Sequence, residues 1–169
     1  EQFAGAVQAG ADFLAANGER EEITVTDSGL QYEVINSGDG ATPTADSTVR
    51  VHYHGELING EVFDSSVVRD QPAEFPVNGV IAGWVEALQL MREGDIWRLV
   101  VPSNLAYGER GAGEKIPPNS VLIFELELIE VKSSNNDLNL LKDLSLKNSK
   151  EFEKFESIEK YISKALKYD

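Results

Sequence analysis

Apolar and polar residues trade places with two different periods along this chain, and each change of period marks an element. Over residues 48–57 the period is two: Val49, Val51 and Tyr53 fall on one face of a strand, and Arg50, His52 and His54 on the other. Residues 121–131 alternate most cleanly, with Leu122, Phe124, Leu126 and Leu128 on one side and Glu125 and Glu127 on the opposite side. Residues 29–35 and 96–101 read as two further strands, the second ended by Pro102. Gly38-Asp39-Gly40 and Asn59-Gly60 supply turns, the latter a hairpin signal leading into residues 61–66. Residues 73–77 form a short extended piece bounded by prolines, and residues 103–120 a loop.

The period changes once inside this block. Ile81, Trp84, Val85, Leu88 and Met91 recur at steps of three and four, which predicts a helix within residues 77–94, opened after Asn78-Gly79 and stopped at Gly94. It is the one convincing helix of residues 23–132. One amphipathic helix amid strands implies an α+β fold, a twisted antiparallel sheet wrapped around that helix. Trp84, in its first turn, is then either core or the floor of a pocket.

Different patterns flank this block. Residues 1–17 are Ala-rich with Phe3, Val7, Phe13 and Leu14 at helical spacing, and Asn17-Gly18 ends them; residues 19–22 are a charged joint. After Lys132 the run Ser133-Ser134-Asn135-Asn136 reads as a linker. Beyond it Phe152, Phe155, Ile158, Ile162 and Leu166 predict one or two amphipathic helices, with Asn148 and Glu151 placed like a capping box. The expected domains are therefore 1–22, 23–132 and 133–169. The apolar stripe of the tail can dock on the domain, on a second copy or on another protein.

Charge sharpens this division. Residues 1–132 hold 22 acids and 8 bases, a balance of −14, while residues 133–169 hold 7 of each. A domain so acidic repels phosphate backbones, so nucleic acid is not an expected partner. No apolar run approaches the ~20 residues of a membrane-spanning helix, and no membrane partner is expected. The chain begins at Glu1 rather than Met, as a processed or partial chain would.

Candidate chemistry is narrow. Without cysteine there is no thiolate nucleophile or ligand. His52 and His54, the only histidines, lack an obvious third metal ligand and read as surface strand residues. No serine sits in a G-x-S-x-G elbow, and the glycine-rich run 108–113 lacks the Lys-Ser/Thr of a phosphate loop. What the chain offers is aromatic: Tyr53, Phe63, Trp84, Trp97, Tyr107 and Phe124. Taken singly, Tyr53 and Phe124 read as core, and Trp97, two before Leu99 on its strand, as packing.

The ordered motifs V-R-V-H-Y-H-G-E-L, G-E-V-F followed by D-S-S, V-I-A-G-W, L-A-Y-G-E-R-G-A-G, I-P-P-N-S and L-I-F-E-L-E-L resemble the FKBP family of peptidyl-prolyl cis-trans isomerases. The resemblance runs over residues 29–131. P-A-E-F-P-V-N-G-V-I is similar to the bacterial Mip-like subgroup, in which a long helix joins an N-terminal dimerisation domain; residues 1–17 would be the stub of that helix. The resemblance implies an isomerase that needs no cofactor or metal. It implies Trp84 as the pocket floor, Tyr53, Phe63, Val80, Ile81 and Phe124 as walls, Asp64 and Tyr107 as polar edges, and the Ile81 N–H as a donor. It also places Phe75 behind the pocket, Ile116 over its mouth and Arg69 near Asp64. Ala73, Lys115 and Ala112 depart from the family pattern around that rim.

The implied partners are proline-containing polypeptides and macrolide inhibitors of the tacrolimus type. The implied location is the cytoplasm, with the periplasm as alternative. Two competing readings stand beside catalysis. One is a non-catalytic module or chaperone holding proline-containing segments; the other is an engineered fusion carrying residues 133–169.

Overall fold

The computed structural model describes residues 2–132, with side chains from Val7 onward. The linker and helical tail expected after Lys132 lie outside the described residues. The described elements are α1 (Gln2–Gly18), β1 (Thr24–Val25), β2 (Gln31–Asn36), β3 (Thr48–Leu57), β4 (Val62–Ser65), α2 (Ser66–Arg69), β5 (Ala73–Pro76), α3 (Ala82–Leu88), β6 (Ile96–Val101) and β7 (Leu122–Lys132). The strands form one seven-stranded sheet in the order β1-β2-β6-β7-β3-β4, with β5 also paired to β3. The β1–β2, β2–β6, β6–β7, β3–β4 and β3–β5 pairs are antiparallel.

Alternation decides which face is inside. Along β3 every second residue from Val49 to Leu57 is buried, including Val51, Tyr53 and Gly55. Along β7, Leu122, Phe124, Leu126 and Leu128 are buried, and the register sets Phe124 beside Leu99 and Leu126 beside Trp97 on β6. These residues meet Trp84, Ala87 and Leu88 of α3 in one core with Leu30, Val77 and Met91. Burial of this many large side chains, each contributing about 1.5–3 kcal/mol, drives the sheet onto the helix.

The helix is shorter than the periodicity predicts. Residues 77–79 form a 3-10 turn led in by Pro76, Val80 returns to extended backbone, and α3 runs only from Ala82 to Leu88. Ile81 and Met91, counted on the helical face, lie in the flanking segments. Met91 is nonetheless fully buried, because the chain closes two turns back onto the Ala87 carbonyl. Gly94 does not stop this helix. Its φ of 96° belongs to the next turn, where Asp95 takes the Arg92 N–H on its carboxylate at 3.0 Å. A second short helix, α2, was not expected between residues 23 and 132. It forms where β4 runs out, and the Ser65 hydroxyl caps its start by accepting the Val68 N–H.

A second, smaller cluster covers the other side of the sheet. Phe13 and Leu14 of α1 pack with Ile58 against Val100, Val121 and Ile123. Gly10 permits the approach, since a Cβ there would lie 2.9 Å from the Val121 side chain. The helix end is pinned by a buried bond from Asn17 to Gln31 at 2.8 Å and by Arg20 to Glu33 at 3.1 Å. No helix among the described residues is long and apolar enough to cross a membrane.

Candidate active site

Five rings from four strands and one helix meet above α3. Trp84, held by the first turn of α3, is ringed edge-on by its neighbours. Tyr53 lies 5.3 Å from it at 76°, Phe75 5.8 Å at 80° and Phe124 5.1 Å at 74°. Phe63 stands perpendicular to Phe124 at 5.5 Å. Edge-to-face packing is favoured by the ring quadrupoles. Here it has a geometric consequence: perpendicular rings leave a hollow that flat stacking would fill. The hollow is a cavity of about 400 Å³ lined by Tyr53, Phe63, Asp64, Phe75, Gly79, Val80, Ile81, Trp84, Tyr107 and Phe124.

Local sequence explains how the rings fit. Tyr53 and Phe124 come from the inward faces of β3 and β7. Gly55 follows Tyr53 on the same face, and a Cβ there would lie 2.5 Å from the Phe63 ring and 3.0 Å from Phe124. Glycine at this position is what admits the two rings. Gly83 does the same for α3, since a Cβ would lie 2.6 Å from Val101. Among the described residues, no acceptor takes the Ile81 N–H, which opens α3 with its carbonyl bonded to Trp84 and Val85.

One edge of the cavity is charged. Asp64 accepts from the Tyr53 hydroxyl through one carboxylate oxygen and from Arg69 through the other. Arg69 also donates to the Tyr53 hydroxyl at 3.1 Å, so the three side chains form a closed triangle. Burial pushes the Asp64 carboxyl up, but the bonds from Tyr53 and Arg69 outweigh it and hold the group below the ordinary aspartate range. Burial, with the Asp64 carboxylate beside it, pushes the Tyr53 phenol up. Asp64 is thus a fixed negative charge at the mouth of an apolar cup, and Tyr53 a fixed donor. Among the described residues no group of three His, Asp or Glu side chains is arranged to hold a metal.

The cavity gathers every residue expected at the site except Arg69 and Ile116. Arg69 stays outside the lining and acts on Asp64 and Tyr53. Ile116 is buried and lies outside this lining. A backbone bridge pairs it with Ala112, and it lines an adjoining cleft with residues 112–115 that shares Phe63, Asp64 and Tyr107 with the main cavity. Four residues carry no site role in the sequence pattern: Gly79 in the lining, Gly55 as the gap for the rings, and Ser65 and Ser66, which follow Asp64. The glycine closing His-Tyr-His-Gly was the available signal for Gly55. His52 and His54 are not idle surface groups, for their Nδ1 atoms lie 2.9 Å from the Ser66 and Ser65 hydroxyls.

Comparison with known proteins supplies the wider context. A family model described as FKBP-type peptidyl-prolyl cis-trans isomerase matches residues 40–129, and one for the domain amino-terminal to it matches residues 1–34. The chain is 56% identical over 131 residues to the FKBP-type 22 kDa peptidyl-prolyl cis-trans isomerase of Escherichia coli (78% of this chain, 64% of that protein). It is 51% identical over 122 residues to a Legionella longbeachae protein named outer membrane protein MIP (72% of this chain, 52% of that protein). It therefore spans less than two thirds of the length of these curated relatives. A crystal structure of a peptidyl-prolyl cis-trans isomerase from Pseudomonas syringae superposes with a TM-score of 0.72 at 39% identity, covering 77% of this chain and 96% of that one.

Proposed function

Because the chain belongs to the FKBP-type peptidyl-prolyl cis-trans isomerase family, we propose that it catalyses rotation about X-Pro peptide bonds in folding polypeptides, with the Trp84 cavity as its active site. The observation that carries this reading is the combination of an aromatic cup with a tethered carboxylate on its rim.

The chemistry follows from what slows the uncatalysed step. Partial double-bond character gives the prolyl bond a barrier of ~18–20 kcal/mol. As the amide twists it loses resonance, its oxygen sheds negative charge and its nitrogen becomes pyramidal. A cavity walled by rings favours that less polar, twisted state over the planar and better solvated one. The proline ring packs on Trp84 between Tyr53, Phe63 and Phe124. The Ile81 N–H and the Tyr107 hydroxyl, the latter on a half-exposed ring, orient the substrate backbone. The negative edge at Asp64 faces the carbonyl carbon as its oxygen loses charge. No covalent intermediate enters. Differential stabilisation of ~4–6 kcal/mol supplies three to four decades of rate.

Macrolides of the tacrolimus type occupy the same cup and compete with substrate. Cytoplasm remains the location carried by the subgroup resemblance; the relative named an outer membrane protein supports an exported alternative, which cell fractionation decides. The test of function is turnover of an X-Pro tetrapeptide at low temperature with and without such a macrolide. Fast, inhibitable isomerisation that collapses in Asp64→Ala and Phe63→Ala, with the fold intact, is the expected result. Absence of catalysis in a sample shown to be folded sinks the proposal.

A further inference from the structure

We propose that His54 is a positioning residue for the site: through the Ser65 hydroxyl it holds the α2 turn so that Arg69 and Asp64 meet. This rests on the isomerase reading only for its effect on turnover; the geometry stands by itself.

His54 points away from the cavity, on the opposite face of β3 from Tyr53. Its Nε2 lies 3.1 Å from the Glu56 carboxylate and its Nδ1 2.9 Å from the Ser65 hydroxyl. The remaining groups of its cleft are Arg98 and Glu125 from β6 and β7, with Ile123. A nitrogen beside a carboxylate carries the proton, so in the neutral ring Nδ1 is bare and accepts the Ser65 hydroxyl hydrogen. The Ser65 oxygen is thereby left to accept from Val68 N–H at 3.1 Å, the bond that caps α2. Ser65 is 5% exposed, which leaves little room for water to replace the imidazole.

The consequence reaches the site in two short steps. Ser65 directly follows Asp64, and its backbone N–H helps hold that carboxyl low; the turn that Ser65 caps ends at Arg69, whose guanidinium grips the same carboxylate and the Tyr53 hydroxyl. The adjacent hydroxyl is also held by an imidazole, in the opposite donor sense. Ser66 closes the Tyr53 N–H and C=O where β4 has ended, and accepts from His52 Nδ1.

The experiment exploits side-chain geometry: asparagine places a polar atom where Nδ1 lies, and glutamine one where Nε2 lies. The Asp64 carboxyl is followed by carbon-13 NMR titration in the full chain and in His54→Asn, His54→Gln and His54→Ala. Its midpoint is expected to rise by about 0.5 unit or more in the Gln and Ala variants and to stay within about 0.2 unit of wild type in the Asn variant. Turnover is expected to fall roughly three- to tenfold in Gln and Ala, in kcat rather than KM, and to be rescued by Asn. An Asp64 midpoint unmoved in Gln and Ala overturns the proposal, and so does a midpoint displaced as far in Asn as in Gln. Should the Ala variant not fold, the Asn and Gln pair decides. A wild-type chain without turnover would refute the isomerase reading, while the Asp64 titrations would still judge His54.

Discussion

The two tryptophans are alike in burial, yet they build different things. Each is 5% exposed and each has an indole N–H with no partner among the described residues. Trp97 lies flat against Tyr32, with centroids 4.1 Å apart and an interplanar angle of 7°. Trp84 is met edge-on by three rings at 74–80°. A flat stack closes the space between two rings, whereas perpendicular rings hold it open. The register produces the difference. Tyr32 pairs with Leu99 and Val34 with Trp97, which makes Tyr32 a diagonal neighbour of Trp97 within one sheet. Trp84 projects from a helix and meets rings that stand up from strands. Depth of burial therefore does not distinguish the filled stack at Trp97 from the open cup at Trp84; here the angle between rings does.

The comparison breaks first at Trp97. Trp97→Ala should cost about 3–5 kcal/mol and lower Tm by roughly 10–20 °C. Turnover per folded molecule at low temperature should stay near wild type, as calorimetry and a peptide assay on one sample would reveal. A comparable loss of activity in the folded fraction would mean that the stack communicates with the cup. Phe63→Ala is the opposite case. The ring is only half-buried at the rim, so stability should fall little while kcat/KM drops roughly tenfold to a hundredfold. If activity holds, Phe63 is not a wall of the functioning pocket.

Gly55→Ala sharpens the point without removing any ring. The added methyl meets Phe63 and Phe124, and the overpacking should cost about 1–3 kcal/mol. Ring displacement, read from aromatic NMR shifts of Phe63 and Phe124, should accompany a loss of turnover. The smallest effect is electrostatic. Asp64 is held below its ordinary pKa in the folded state, so its contribution to stability is present above the unfolded aspartate value of about 4. That contribution is lost as pH falls through that value and on through the lower folded one. The carboxylate is 43% exposed, so solvent screening keeps the term below about 1 kcal/mol. The unfolding free energies of wild type and Asp64→Asn should differ by a constant amount near neutrality and converge on acidification; a gap that widens in acid would reverse the assignment.

Much of this architecture was legible in the chain. Period-two alternation placed β3 at its observed limits and β7 within a residue of them, because a half-buried sheet demands one apolar face; the apolar run closed by Pro102 placed β6. The ring set around Trp84 was legible only as ordered motifs, since alternation by itself assigns Tyr53 and Phe124 to the core as readily as to a cup. Helix periodicity overran α3 at both ends. It counts apolar positions and does not register that Ile81 and Met91 can be buried from turns, or that Asp95 captures a backbone N–H.

Other features belonged to the tertiary structure alone. No local pattern foretold α2, because its cap works only where β4 ends and a buried hydroxyl meets His54 from the neighbouring strand. Nor did spacing place Ile116 in an adjoining cleft, or Gly55 against two rings arriving from β4 and β7. Sequence by itself determined which residues turn inward, through a two-residue period acting over short range. Tertiary structure decided which inward residues leave a cavity and which outward ones support it, because ring angles and relayed hydrogen bonds exist only between segments far apart in the chain.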